Sequence, residues 1–450
     1  MDKIRLNIKD MWNLKLTDNN WENDIPMYSA YSSIPKGAIT YSNALKIYKK
    51  MLREKNDEYK IHKHVYFTLE DINKNKSHNI WYHYKFISKV TNHFDGIFAP
   101  YYACEYSNRT IRHNYNIYKM QTIGKFFSDI GQNVIYTFSS LHIKENNISF
   151  SGISTNSIVY IDIHNYKNYP QTIQEFEKCL KEFIEIKKPK IFVLIGDKNN
   201  PKFNIIKSTG IDYLLFEDEN IYSFEKTTWQ LLEDNDKIFN EDGYLVCIPT
   251  KQSIPNKIIS WTEARSIYKK TIQVDKNFKI DAYVHFYIDD QCFDGPLKGI
   301  WMNPNEAYQI LTHFAGIITV DYSTYQDFPI PIKQFAIYRM ALSGILANKY
   351  HIEVINNLRL DIFNSYSANY LPKGGIIAIG TVASNMKSSF YKEVFTKQLD
   401  EYFSTNKFYA VIVFGSSKYE PFNKLRLNGT IIKSFKSHKN RTFGGGEDYV

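Results

Sequence analysis

The feature that most constrains this sequence is an internal duplication, in which the second half repeats the first at an offset of about 220 residues. Aligned identities recur along both halves: Ile34 with Ile254, Trp81 with Trp301, Gly96 with Gly316, Gly124 with Gly344 and, after a slip of one residue, Gly196 with Gly415 and Phe216 with Phe435. Chance identities do not keep one register over such a distance. Each half is therefore predicted to be a folding unit of the same kind.

Each half alternates short apolar runs with amphipathic segments of helical length. In the second half we predict strands at 283–288, 316–320, 353–356, 376–379, 410–414 and near Ile431, with helices at 306–313, 332–349 and 390–405. This alternation predicts βαβ crossovers and a mostly parallel sheet. With up to six strands in each half, a single eight-stranded barrel is excluded. We predict an α/β protein of two tandem homologous repeats, each either Rossmann-like or a partial TIM-like barrel.

The same pattern predicts the domain boundaries. The first repeat is expected over residues 1–218 and the second over 244–435, joined by a polar, acidic linker at 219–243. Residues 436–450 are predicted to be a flexible basic tail, because lysines crowd its start and glycines follow.

The chain has 56 Lys and Arg against 47 Asp and Glu, a net charge of +9. Such an excess of positive charge attracts nucleic acid. The excess of Lys also fits compositional drift, because Lys, like Asn, Ile, Tyr and Phe, has AT-rich codons. The four cysteines include no CxxC pair, so they are expected to be reduced thiols. With no apolar run long enough for a signal peptide or a membrane span, we predict a cytoplasmic protein without a membrane partner.

Acidic side chains follow two predicted strands of the second repeat. Asp289 and Asp290 come after one strand, Asp321 after the next, and Arg359 after the third. Because ligands of parallel sheets bind at the carboxyl ends of strands, we predict catalytic roles for these four residues. The three aspartates are the predicted ligands of Mg²⁺, with Arg359 facing a phosphate, or they form paired carboxylates for acid–base chemistry. The alternative is that they cap the helices that follow.

Other single residues carry weaker predictions. His285 lies within a strand and is expected to be a hydrogen-bonded core or surface residue. Gly196 and Gly415 end matching strands, and turn glycines are favoured over phosphate cradles because neither lies in a GxGxxG or P-loop pattern. His62 and His64, two residues apart, lack an evident third metal ligand.

Four stretches of the second half resemble DUF4417, an uncharacterised domain family of bacteria and phages. They are residues 284–290 with Trp301 and Pro304, residues 321–329, the helix segment Gln334–Arg339, and the strands at 376–381 and 411–415. One departure is that Asn357 and Arg359 lack the Trp and Gly that usually follow in that family. The first half matches more weakly, with Tyr101 in place of Asp321 and Lys119 in place of Arg339. The resemblance implies a phage or mobile-element origin and no particular reaction.

Three classes of function remain open. We favour a nucleic-acid-associated accessory protein of a phage or mobile element. The alternatives are a metal-dependent enzyme acting on a phosphorylated substrate, with its site in the second repeat and the first repeat as a scaffold, and a structural or interaction protein that binds a phage or host protein.

Overall fold

The computed structural model describes residues 21–29, 31–54, 60–73, 79–102, 110–139, 148–167, 173–223, 226–235, 238–240, 244–295, 299–324, 328–360, 370–382 and 389–436. The chain divides into two compact units, residues 1–225 and 226–450. Part of the predicted linker is structured, because Thr228–Glu233 forms a helix whose Trp229 ring stacks on Trp301 at 4.3 Å. Apart from Lys436, the predicted tail lies outside the described residues.

In the first unit, a hairpin precedes the main sheet, and a short parallel pair lies beside it. The strands are β1 Trp21–Glu22, β2 Ile25–Pro26, β3 Ala38–Thr40, β4 Ile61–Tyr66, β5 Phe94–Phe98, β6 Asn133–Thr137, β7 Ile158–Ile163, β8 Tyr166–Lys167, β9 Ile191–Gly196, β10 Tyr213–Glu217 and β11 Tyr222–Ser223. The helices are α1 Tyr41–Glu54, α2 Leu69–Asn73, α3 Ile80–Thr91, α4 Thr110–Asp129, α5 Ile173–Lys187 and α6 Pro201–Ser208.

The second unit repeats this plan. Its strands are β12 Ile258–Ser260, β13 Ile280–His285, β14 Phe314–Ile318, β15 Glu353–Asn357, β16 Ile376–Gly380, β17 Ala410–Phe414 and β18 Ile431–Phe435. Its helices are α7 Thr228–Glu233, α8 Trp261–Thr271, α9 Pro304–Leu311, α10 Ile330–Lys349, α11 Ser389–Thr405 and α12 Glu420–Leu427. Two tandem α/β repeats are thus present, as the sequence predicts, with seven strands in each main sheet of the described chain instead of six.

The strands of each main sheet pair in chain order. The order is β3-β4-β5-β6-β7-β9-β10 in the first unit and β12 to β18 without interruption in the second, and every described pair in the two sheets is parallel. A doubly wound sheet reverses its strand order at a switch point, and here the order does not reverse. Because parallel crossovers are right-handed, helices that always advance in one direction all cover the same face of the sheet.

Side-chain contacts show that each sheet is curled. The rings of His285 and Phe414 lie 4.6 Å apart, although four strand spacings separate β13 from β17. In the first unit, Tyr66 at the end of β4 donates a 2.6 Å hydrogen bond to Asp218, which follows β10, five spacings away. In a flat sheet these distances would be about 19 and 24 Å. Each unit is therefore a partial TIM-like barrel, and the Rossmann-like alternative is wrong.

Curling gives each unit an inner and an outer core. The inner core of the second unit is formed by side chains from six consecutive strands, among them Ile258, Tyr283, Ile355 and Phe414. The outer core of the same unit packs residues such as Val413 against Leu399 and Phe422 of helices α11 and α12. Because β17 is buried on both of its faces, all of its residues are apolar and they form an uninterrupted run in the sequence.

One aligned glycine shows how the inner face is packed. A Cβ atom on Gly96 would lie 2.8 Å from the ring of His64, and one on Gly316 would lie 2.4 Å from the ring of Tyr283. The two rings stand at the same place in the ladder, because His64 pairs with Gly96 and Tyr283 with Gly316. The duplicated glycine therefore leaves room for an aromatic ring from the neighbouring strand.

The contact between β13 and β17 predicts a large stability effect. Replacing Phe414, which is 4% exposed, by Ala should lower the free energy of unfolding by about 3–5 kcal/mol, because it removes a ring that fills the barrel interior. Urea unfolding of the full chain, followed by circular dichroism, measures this. Tyr409→Ala, at a residue 63% exposed, is the control and should cost less than about 1 kcal/mol. Equal losses for both variants would contradict a closed interior.

Candidate active site at the barrel mouths

The structure brings together two of the residues predicted as a site in the second unit. Asp321 accepts hydrogen bonds from the Arg359 guanidinium at 2.9 and 3.1 Å and from Asn357 Nδ2 at 2.7 Å. Arg359 Nε also donates to Thr324 Oγ1 at 3.4 Å. These groups follow β14 and β15, so they lie at the carboxyl ends of adjacent strands. The Asp321–Arg359 pair is partly open to solvent, with side-chain exposures of 9% and 20%.

Asp290 has a different set of partners. Its carboxylate accepts hydrogen bonds from Ser323 Oγ at 2.8 Å and from Ser323 N at 3.2 Å. Burial raises the pKa of Asp290 to about 6, with Asp294 nearby also raising it, while the hydrogen bonds from Ser323 oppose the shift. Asp294 is itself held by Arg339 at 2.7 Å, and the Arg339 guanidinium lies 3.6 Å from the centre of the Tyr322 ring. Asp290 therefore belongs to a carboxylate pair beside Arg339.

Asp289 is exposed and is the N-cap of a short 3-10 turn, Asp290–Cys292, where its side chain makes no capping hydrogen bond to the described residues. In the first unit Asp71, which matches Asp290, does take part in a cap: its carboxylate accepts from Thr68 N at 3.1 Å, and its own N–H donates to Thr68 Oγ1 at 3.1 Å. Over the described residues, no group of three or more His, Cys, Asp or Glu side chains is arranged to hold a metal ion. Mg²⁺ binding by Asp289, Asp290 and Asp321 stays a prediction.

A polar network that the sequence did not single out lies at the mouth of the first unit. His164, directly after β7, is fully buried between two carboxylates. Its Nδ1 lies 3.1 Å from Asp162 Oδ1 and its Nε2 lies 3.2 Å from Asp218 Oδ2. An imidazole with a carboxylate at each nitrogen is stabilised in its doubly protonated form.

Tyrosine hydroxyls complete this network. Asp218 Oδ2 accepts from Tyr66 at 2.6 Å and from Tyr222 at 2.8 Å, and Asp162 Oδ2 accepts from Tyr166 at 2.7 Å. These residues come from β4, β7, β8 and β11 and from the loop after β10. We call His164, Asp162, Asp218 and these three tyrosines the mouth network. It joins parts of the chain that are far apart in sequence at one edge of the barrel.

The mouth network shifts the pKa values of its ionisable members. Burial alone would lower the pKa of His164, but the carboxylates of Asp162 and Asp218 raise it to about 9. Burial would raise the pKa of Asp218, but hydrogen bonds from His164, Tyr66 and Tyr222 hold it well below its usual range. His164 is therefore charged at neutral pH, and Asp218 is ionised beside it.

Lys202 is a second buried group whose pKa is strongly shifted. It lies in the first turn of α6, is 6% exposed, and its Nζ approaches the Asp162 carbonyl oxygen at 3.4 Å. Burial lowers the pKa of Lys202 from 10.5 to about 8, while the charge of Asp162 opposes the shift. Strongly shifted values of this kind are concentrated at functional sites.

Local structure after β9 positions both groups. Asn200 caps helix α6 by accepting from Lys202 N at 3.0 Å, and its Nδ2 donates to the His164 carbonyl at 3.2 Å. Gly196 has a φ of +138°, and a Cβ atom there would lie 2.4 Å from His164 N. This glycine thus allows the loop after β9 to pass close to His164. Gly415, in the matching place, also has a positive φ of +118°, so both are turn glycines.

The two mouths differ in which strands carry polar groups. In the second unit, Gly380 takes the ladder position of Asp162, because Asp162 pairs with Ile195 and Gly380 pairs with Phe414, the residues that precede the aligned Gly196 and Gly415. Val382 then stands in the place of His164. In the first unit, Tyr101 and Ser139 replace Asp321 and Arg359. Neither mouth is simply a degraded copy of the other.

The comparison with family models finds the same duplication. The sequence model of the family described as Domain of unknown function (DUF4417) matches residues 23–213 and again residues 246–436. The chain belongs to this family. Each DUF4417 match lies within one of the two units, so one unit corresponds to one copy of the domain, although the first match ends at the start of β10. Comparison with curated proteins and with solved structures gave no significant match.

Sequence reasoning missed the mouth network because it searched the repeat that is closer to the DUF4417 pattern. A usable signal was present in the first repeat: Asp162 and His164 stand two residues apart at the end of an apolar strand, and Asp218 ends another. His285, by contrast, is a buried residue as predicted, and its Nδ1 accepts from Tyr287 N at 3.3 Å. Among the described helices, none has the length and apolar character needed to cross a bilayer.

The close approach at Gly196 predicts a specific defect. Gly196→Ala should destabilise the protein by clearly more than Gly210→Ala, because the new methyl group meets the backbone of Ile163 and His164. Gly210 also has a positive φ, of +74°, but its Cβ position is open, so this control carries only the backbone cost of about 1 kcal/mol. Thermal unfolding of the two variants tests the comparison. Similar losses would show that the packing against His164 is unimportant.

The raised pKa of His164 predicts how stability depends on pH. The folded state holds this proton more tightly than the unfolded state, so the contribution of His164 is complete below pH 6.5 and is lost as the pH rises toward 9. Lys202 acts only above pH 8, where its lowered pKa adds stability with rising pH. From pH 6.5 to 8 the free energy of unfolding of the wild type should therefore fall relative to that of His164→Gln. A constant difference across this range would contradict a charged His164.

Proposed function

We propose that this protein is an enzyme that transfers protons to or from a small polar substrate at the mouth of the first barrel. The observation that carries the proposal is the fully buried His164 held between Asp162 and Asp218 at the carboxyl ends of the strands. In TIM-like barrels the loops at that end form the active site. This moves the enzyme interpretation from the second repeat, where the sequence placed it, to the first.

The network is graded from buried to exposed. The side chains of His164 and Asp162 are 0% and 2% exposed, whereas that of Asp218 is 11% exposed. Asp218 is thus the carboxylate that a substrate at the mouth would meet first. A substrate group that donates a hydrogen bond to Asp218 competes there with Tyr66, Tyr222 and His164. Asp218 is the group we assign to contact the substrate.

His164 then acts through Asp218. Asp218 is too weak a base to keep a proton, because its pKa is held well below the usual range. In the proposed step the Nε2 proton of His164, whose pKa is about 9, passes through Asp218 to a basic group of the substrate, which leaves His164 neutral and Asp218 again ionised; a proton returned along the same path restores the imidazolium. Asp162 stays ionised beneath it, because burial, which alone would raise its pKa, is outweighed by His164 and Lys202. The buried carboxylate keeps the ring oriented through the cycle.

The test is a ligand screen that compares the two barrels. Small polar compounds are added to the wild type, to Asp218→Asn and to Asp321→Asn, and the melting temperature is followed. A ligand at about 100 times its Kd stabilises the native state by about 2.7 kcal/mol. We expect ligands that stabilise the wild type and Asp321→Asn but not Asp218→Asn. Circular dichroism of each variant checks that it is folded.

The opposite pattern would refute the assignment. Ligands that still stabilise Asp218→Asn but no longer stabilise Asp321→Asn would place binding at the second mouth, around Asp321 and Arg359. For ligands that pass the screen, turnover by His164→Gln measures the role of His164. We expect turnover to fall at least about 100-fold with smaller changes in ligand affinity, because general acid–base groups contribute about 10²–10⁴-fold.

A further inference from the structure

The outer surface of the first unit carries an unbalanced group of positive charges. Helix α1 has Lys46, Lys49, Lys50 and Arg53, and helix α3 has Lys85 and Lys89. All six side chains are exposed. The two helices contain one acidic residue between them, Glu54, which lies 3.8 Å from Lys50. We call these six residues the α1–α3 face.

The two helices are neighbours in space. The Tyr48 ring of α1 packs edge-on against Phe86 of α3 with 6.4 Å between ring centres, and also contacts His93 at 5.4 Å. Both helices lead from the carboxyl end of one strand to the start of the next, so they run in the same direction. Lys46 and Lys85 are each the sixth residue of their helix, which places them at similar heights on the barrel.

The positions on α1 give the charges a regular spacing. Lys46, Lys50 and Arg53 follow at intervals of four and three residues, so they line one side of the helix opposite the buried Tyr41, Ala44 and Leu45. At a rise of 1.5 Å per residue, the stripe from Lys46 to Arg53 is about 10 Å long. That length is suited to a run of backbone phosphates.

The second unit provides an internal reference for compositional drift. Its matching helices, α8 and α9, contain three basic residues, Arg265, Lys269 and Lys270, and two acidic ones, Glu263 and Glu306. AT-rich drift acts on both halves of a gene alike, so it does not explain an excess confined to one repeat. The α1–α3 face has gained, or kept, charge that its duplicate lacks.

We propose that the α1–α3 face binds the phosphate backbone of single-stranded nucleic acid. Six cations on adjacent helices, with one acidic residue between them, complement a polyanion and give little basis for reading a sequence. Phe86 lies between Lys85 and Lys89 in sequence and is 40% exposed, which offers an aromatic surface to an unpaired base. This surface is on the helical outside of the barrel and is independent of the proposed enzyme site.

The experiment measures fluorescence anisotropy of labelled single-stranded oligonucleotides with the full chain. The test variant is Lys46→Gln/Lys49→Gln/Lys50→Gln/Lys89→Gln, and the matched control is Arg265→Gln/Lys269→Gln/Lys270→Gln in the second unit. We expect the test variant to bind at least about 10-fold more weakly at roughly 50 mM salt, while the control keeps most of the affinity. The slope of log affinity against log salt should fall by about three in the test variant, since each lost phosphate contact removes about 0.7.

Several results would overturn the proposal. Equal weakening by the test and control variants would mean that overall charge, and not this face, attracts the strand. Absence of binding by the wild type at roughly 50 mM salt would exclude a nucleic-acid site here. Binding to vesicles with anionic lipids, without binding to oligonucleotides, would identify a membrane surface as the partner. Asp218→Asn should leave oligonucleotide binding unchanged, which separates this result from the fate of the proposed enzyme.

Discussion

The constraint on which this structure depends is parallel pairing of strands in the order in which they occur along the chain. Every crossover then advances in one direction, and right-handedness places every helix on one face. A sheet covered on one side only must bury its other face against itself, so it curls. The contacts of Phe414 with His285, and of Asp218 with Tyr66, follow from that curvature. The polar ends of distant strands meet at the barrel mouth for the same reason.

Duplication of this unit produced two barrels whose inner packing is conserved more closely than their mouths. The glycine beneath an aromatic ring is present in both, at Gly96 and Gly316. So is a cation held over a tyrosine ring: Lys119 lies 4.0 Å from the centre of Tyr102, and Arg339 occupies the same place over Tyr322. Polar groups instead gather on β7 and after β10 in the first unit, and after β14 and β15 in the second. Packing restricts the interior, whereas the strand ends tolerate different side chains.

Sequence alone predicted the duplication, the α/β class and most elements of the second half. The apolar run at 410–414 and the long helical stretch predicted at 332–349 carry their own signals, although the helix proves to be buried on nearly every side and not amphipathic. The three-residue strand Ile258–Ser260 was missed because so short a run has no measurable period. The pairing of Asp321 with Arg359 followed from strand ends meeting at one edge. The mouth network did not, because Tyr66 and Asp218 lie five strand spacings apart and meet only once the sheet has curled, and the sequence alone does not give the order of the strands in the sheet.

Pairing in chain order also bears on how each barrel is built during folding. Each strand joins the strand that precedes it, so the sheet can grow by successive additions, each closing only a moderate loop of chain. The hydrogen bond from Tyr66 to Asp218 instead spans 152 residues. It requires all the intervening strands to be in place before its two ends can meet. The network around His164 should therefore be among the last parts of the first barrel to assemble. Once the mouth network has formed, the rest of the unit has already folded.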